Sequence, residues 1–147
     1  MKVAIHDSEH SKFPNLALMK ISAYHKAKED TVCWWDPAET YDRVYSSKVF
    51  TFTPEETRLP ADTIRGGTGY GLYHSLPSEI DNMYPDYSIY PNCDYAIGFL
   101  TRGCIRQCPW CVVPKKEGKI HPYRTWREIK RPDSRLIKFM DNNVLAS

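Results

Sequence analysis

Long apolar runs are missing from this chain. None of its 147 residues lie in a stretch near the ~20 apolar residues that a bilayer-spanning helix needs, and the apolar run in "MKVAIHDSEH" is far too short for a signal peptide. The expectation is a cytoplasmic protein with no membrane partner. Net charge is nearly absent as well: 20 Lys/Arg stand against 18 Asp/Glu, giving +2. There is no internal repeat and no low-complexity tract, and no Ser/His/Asp arrangement or paired-carboxylate site can be argued. Cysteine is scarce and odd in number, five in all, which argues against a fully paired disulfide framework. In a reducing compartment, clustered thiols point to metal binding or catalysis instead.

What is present begins with a core. The hydrophobic fraction is 41%, enough for a packed interior, and the length suits one domain or a small domain with part of another. The near-zero net charge hides an asymmetry. Residues 1–101 hold nine Lys/Arg against fourteen Asp/Glu, a net of −5, whereas residues 102–138 hold eleven against three, a net of +8. A basic block of this kind attracts anions, nucleic acid among them, unless it is simply a solvated face.

The first third reads as strand, helix, strand. "KVAIHD" (2–7) is a short apolar run ending in polar residues. Asn15 precedes "LALMKISAYHKAK" and can cap it, and Lys26 and Lys28 suit the C-terminal dipole. "TVCWW" (31–35), "RVYSSKVFTF" (43–52) and "DTIRGG" (62–67) follow as strands. Strands alternating with a helix predict an α/β layer with a largely parallel sheet. His6, Asp7, Glu9 and His10 read as a polar loop leaving the first strand, Cys33 as a buried strand residue, and "GGTGYG" as a turn. Residues 66–92, rich in Gly, Pro and Tyr with a brief helix at "PSEIDNM", read as the linker between two units, 1–92 and 93–147.

In the last third, "YAIGFL" (95–100) and "RLIKFM" (135–140) read as buried parallel strands. Thr125-Trp126-Arg127-Glu128 fits a capping box that opens the helix between them, to about Lys130. The intervening loop, about 101–121, is unusually long without regular structure, and such loops are usually functional. It carries Cys104, Cys108 and Cys111 in "CIRQCPWC". Soft thiolates four and then three residues apart can converge on zinc, copper(I) or an iron–sulfur cluster. One possibility is a Cys3His zinc site completed by His121 (or by Cys93), in an interaction module whose basic block docks nucleic acid. The other is a cubane cluster held by three protein ligands, one iron remaining open.

With Trp110 before its last cysteine, "CIRQCPWC" resembles the signature of the radical S-adenosylmethionine (radical SAM) enzymes. That family carries the signature on the long loop after the first strand of a (β/α) partial barrel, and the resemblance covers residues 93–147. Residues 1–92 look more loosely like the Rossmann-like, B12-binding-like domain that precedes the barrel in some members. The Asp-x-His-x-x-Gly loop of cobalamin domains is absent, so no cobalamin is expected.

The resemblance implies a [4Fe–4S] cluster with Cys104, Cys108 and Cys111 each on one iron. The amino and carboxylate groups of S-adenosyl-L-methionine would take the fourth iron, and main chain around Trp110 would lie near the adenine. Many members hold the methionine ammonium with Gly-Gly-Glu at the end of the second strand. Asp141-Asn142-Asn143 stands there in this chain, Asp141 as the candidate acceptor and Asn142 and Asn143 beside it. The implied reaction is reductive cleavage of S-adenosylmethionine to a 5′-deoxyadenosyl radical, fed by a low-potential flavodoxin- or ferredoxin-like donor. Substrate and catalytic residues stay unassigned. Arg102, Arg106, Lys115 and Lys116 flank the loop and can balance the thiolates or simply serve solubility. The family barrel continues for several strand–helix units, so a missing half in the same or another chain is expected. These 147 residues alone are expected to hold a cluster poorly and turn over no substrate.

Overall fold

In the computed structural model, residues 1–146 are described, and the chain is a mixed α/β protein with parallel sheets and few helices. It divides into two compact units, Met1–Tyr90 and Pro91–Ser147.

The first unit is built on a four-stranded parallel sheet in the order β2-β1-β3-β4, comprising β1 (Lys2–Asp7), β2 (Thr31–Trp34), β3 (Arg43–Ser47) and β4 (Ile64–Gly66). Val3, Ala4 and Ile5 are fully buried because β1 is flanked by β2 and β3 and covered on both faces. Alternation along the strand divides the core. Val3 and Ile5 pack with Leu18, Ile21, Tyr45 and Ile80 on one face, and Ala4 packs with Val44 and Leu59 on the other. Helix α1 (Leu16–Ala27) makes the crossover from β1 to β2 and fills the first face. Asn15 caps it as its sequence position suggests, with Oδ1 accepting from the Leu18 N–H at 3.3 Å while Nδ2 donates to Ser47 Oγ at 2.8 Å. The second face is covered by residues from irregular segments, Trp35, Tyr41 and Leu59, instead of by a helix.

Three expectations change here. The segment that composition marks as a linker is core: Leu76, Ile80 and Ile89 pack on the α1 face around the short helix α2 (Ser78–Asp81). Burying Ile80 stabilises the unit by about 1.5–3 kcal/mol, and half-buried Leu76 and Ile89 add less, so the segment has a reason to stay down. Polar anchors add to it. Tyr90 donates to Asp7 Oδ2 at 3.1 Å, and Ser22 donates to Asp86 Oδ2 at 2.6 Å beside an ion pair with Lys26 at 2.7 Å.

The second change is that β3 ends at Ser47, short of 52. Lys48 N–H still pairs with Gly66, but the chain of "GGTGYG" then folds over it, with the Gly69 N–H bonding the Lys48 carbonyl at 2.9 Å. Gly67 sits at φ 103, where a Cβ would lie 2.3 Å from the Lys48 oxygen, so the glycine serves a close backbone approach within the fold. The third change concerns His6 and Asp7. They are not in a loop but at the buried end of β1, 4% and 6% exposed. His6 Nδ1 bonds Ser46 Oγ at 2.9 Å, and Ser46 Oγ in turn bonds the Tyr70 hydroxyl at 2.7 Å. Cys33 is half-buried in β2.

The second unit has much less regular structure. Strand β5 (Ala96–Gly98) pairs in parallel with β8 (Ile137–Phe139), and β6 (Thr101–Arg102) pairs antiparallel with β7 (His121–Pro122). Between them lie α3 (Val113–Lys116) and α4 (Trp126–Ile129). The capping residues behave as the sequence suggests: the N–H and hydroxyl of Thr125 both reach Glu128 Oε2, at 2.7 and 2.8 Å. The order strand, loop, helix, parallel strand is also as expected. The burial of the second strand is not, because Leu136 and Phe139 are 60% and 41% exposed. Nor is the long loop free of regular structure, since it contains β6, α3 and β7.

Candidate functional site

The three clustered cysteines lie on the excursion between β6 and β7, whose base is constructed in detail. β5 delivers the chain to Thr101, which is 4% exposed. Arg102 pairs across the strands with His121, and Cys104 forms a bridge with Lys119. Gly103 at φ 79 has the Lys119 and Gly118 carbonyl oxygens 2.3 and 2.7 Å from where its Cβ would be. A side chain there would collide with rigid backbone, so glycine is required before Cys104. Arg102 stacks on the Phe99 ring at 4.1 Å and pairs with Glu117 at 2.8 Å. It is therefore committed to the base of the loop.

Above this neck, Cys104 Sγ accepts from the Arg106 N–H at 3.4 Å, and a turn closes from Cys108 to Cys111, the Cys111 N–H bonding the Cys108 carbonyl at 3.0 Å. All three thiols are free and half-buried. Trp110 stands out from the turn at 87% exposure. Pro114 lies in the first turn of α3, where its missing N–H costs nothing. Burial, followed by the nearby Arg102 guanidinium, holds the Lys116 ammonium below the usual lysine range, and Glu117 opposes them.

As a donor set, three thiols free of disulfides on one loop suit a soft metal centre. Among the described residues, though, no three of His, Cys, Asp or Glu are gathered as a metal-holding group. The thiols would have to draw together to share a centre. The two fourth-ligand candidates differ. His121 is exposed, its Nδ1 within 2.9 Å of the Lys119 carbonyl oxygen. Cys93 is 8% exposed and donates to the Tyr95 carbonyl at 3.2 Å, before β5 in the chain and so on the far side of that strand from the loop.

Asp141-Asn142-Asn143 follows β8 after Met140. Asp141 Oδ2 accepts from the Leu100 N–H at 3.0 Å, and Oδ1 accepts from the N–H and hydroxyl of Thr101 at 2.5 and 2.7 Å. Asn142 Nδ2 donates to the Gly103 carbonyl at 3.1 Å and to Glu117 Oε2 at 3.4 Å. The Asn143 carbonyl accepts from the Ala146 N–H at 3.2 Å. The sequence reading missed Glu117, which joins Arg102, Gly103 and Asn142. A signal was there, since Glu117 is the lone acid in the stretch 102–127. Comparisons with protein-family models, with curated proteins and with solved structures found no match.

Proposed function

We propose that this chain is the leading portion of a radical SAM enzyme, with Cys104, Cys108 and Cys111 as the three protein ligands of a [4Fe–4S] cluster. On this reading the first unit is a Rossmann-like leading domain and β5–α4–β8 is the opening of a (β/α) partial barrel. The observation that carries the reading is the setting of "CIRQCPWC": three free thiols and an exposed Trp110 on the excursion that leaves β5, ahead of α4 and a strand parallel to β5. When bound, the cluster supplies the electron that opens a carbon–sulfur bond of S-adenosylmethionine. The chain's own residues provide the thiolates, a neck that carries them, and main chain beside Trp110 for the adenine. The excess of cations in residues 102–138 suits an acidic, low-potential flavodoxin- or ferredoxin-like donor. The substrate is open, and a cytoplasmic setting belongs to the same proposal.

The competing reading is a zinc module using Cys104, Cys108, Cys111 and His121, which is favoured by the pairing of Cys104 with Lys119, two residues before His121. Anaerobic reconstitution of the full chain with ferrous iron and sulfide separates the two. The cluster reading predicts a brown protein, even if sub-stoichiometric, whose visible absorption is lost in Cys104→Ala, Cys108→Ala and Cys111→Ala and kept in His121→Ala. A colourless chain that retains one zinc, and loses it in His121→Ala, would overturn it.

A further inference from the structure

Asp141 and Asn142, which the resemblance places near S-adenosylmethionine, are bonded within the chain. Four polar groups from three separate segments meet at the neck of the cysteine loop. The Gly103 N–H donates to Glu117 Oε2 at 2.9 Å across a separation of 14 residues. Asn142 Nδ2 spans both sides of that closure, reaching the Gly103 carbonyl and Glu117 Oε2. Glu117 Oε1 takes the Arg102 guanidinium at 2.8 Å, and the Glu117 side chain is only 11% exposed. Immediately before Asn142, both oxygens of Asp141 hold the main chain of Leu100 and Thr101, where the chain leaves β5. The strand β8, two residues before Asp141, is itself fixed to β5 by the pairing of Ala96, Ile97 and Gly98 with Ile137, Lys138 and Phe139.

We propose that Asp141, Asn142 and Glu117 are positioning residues that latch the neck of the Cys104–Cys108–Cys111 loop, and that Asp141 serves the loop in place of the methionine ammonium. The proposal rests on reading the loop as the cluster site. Bringing distant chain together costs entropy that grows with the logarithm of loop length. A neck closed in advance removes that cost from cluster uptake, and the thiols then have only a short excursion to rearrange. Hydrogen bonds to a carboxylate are stronger than neutral ones, so the Asp141 and Glu117 contacts dominate the latch and Asn142 completes it. The latch also links the loop to β8, so the second strand of the parallel pair sets where the cysteines stand.

Hydrogen exchange read by mass spectrometry on the full chain, without iron, tests the latch independently of any cluster. Asp141→Ala and Glu117→Ala should each speed exchange of amides in residues 100–119 by roughly tenfold, with Met1–Tyr90 unchanged, and Asp141→Asn, which keeps an acceptor oxygen, should recover part of the protection. Exchange equal to that of the parent chain in both alanine variants overturns the proposal. If Asp141→Ala fails to fold, Asn142→Ala, which leaves every Asp141 bond in place, decides: faster exchange confined to the neck supports the latch, and none overturns it. Reconstituted with iron and sulfide, the alanine variants should release iron to a chelator several-fold faster than the parent. If Asp141→Ala leaves exchange and iron release untouched and alters only the change that S-adenosylmethionine makes in the electron paramagnetic resonance spectrum, Asp141 is a ligand contact and the latch is wrong. A parent chain that takes up no cluster counts against the functional reading, while the exchange result still decides the latch.

Discussion

The two units of this chain are stabilised by different physics. Met1–Tyr90 has a buried apolar interior on both faces of its sheet, centred on Val3, Ala4 and Ile5 at 0% exposure. In the other unit the two-stranded pieces are two or three residues long, and both apolar clusters described for the chain lie outside it. What is most buried there besides Ala96, Ile97, Cys93 and Ile129 is polar or backbone: Thr101 and the neck around Gly103. An apolar core loses several kcal/mol when one large side chain is removed, whereas a hydrogen bond contributes about 1 kcal/mol net. The first unit is thus built for rigidity. The second is held by contacts that yield one at a time.

Ile5→Ala should separate the two units most clearly. Ile5 is fully buried in the central strand, and its truncation should cost about 3–4 kcal/mol. Urea titration read by hydrogen exchange should show Met1–Tyr90 losing protection while the Pro91–Ser147 unit keeps its own. If both fail together, the chain is one cooperative block and the contrast is false. Gly103→Ala is the counterpart. The positive φ and the 2.3 Å approach to the Lys119 oxygen should cost about 2 kcal/mol or more, opening the neck and leaving the sheet of the first unit intact. Thr125→Ala should be milder, about 1 kcal/mol, read as loss of protection in α4 alone.

The smallest effect is one of pH. Burial, with His10 nearby adding to it, pushes the His6 imidazole below its usual range, against the opposing pull of Glu56 and Glu9. Ser46 Oγ bonds its Nδ1, and Trp35 packs edge-on at 5.5 Å. A histidine with a lowered folded value contributes stability that is complete above its unfolded value, near 6.5, and is lost as pH falls through the folded one. The urea midpoint of the first unit should therefore fall as pH drops below about 6.5, and His6→Gln should flatten that slope. A slope unchanged in His6→Gln would place the titrating group elsewhere.

How much of this the sequence revealed follows the same divide. Local signals were legible: the Asn15 cap, the β1–α1–β2 order, the Thr125–Glu128 reach-back, and β8 parallel to β5. The caps depend on residues within a few positions of one another, and the strand order on the alternation of strand and helix along the chain. The side-chain partners that distant segments supply were hidden. His6 and Asp7 look polar and loop-like until β3 lies alongside and supplies Ser46. Residues 76–89 look like a linker until α1 presents an apolar face to Ile80. Nothing near Asp141 in the sequence shows that both its oxygens accept from Leu100 and Thr101, 40 or so residues away. The identity of the three cysteines and their place after β5 were plain in the sequence. The polar neck that carries them was not, because Arg102, Gly103, Glu117 and Asn142 share no local pattern.

The account turns on whether Cys104, Cys108 and Cys111 occupy three corners of a cluster and leave the fourth iron open. Electron–nuclear double resonance on the anaerobically reconstituted and reduced chain, with S-adenosylmethionine labelled with ¹⁵N at its amino group, asks this directly. The account predicts a nitrogen coupling that appears with the labelled compound in the parent chain and vanishes together with the cluster signal in Cys108→Ala. A cluster signal indifferent to S-adenosylmethionine because all four irons carry protein ligands would contradict it.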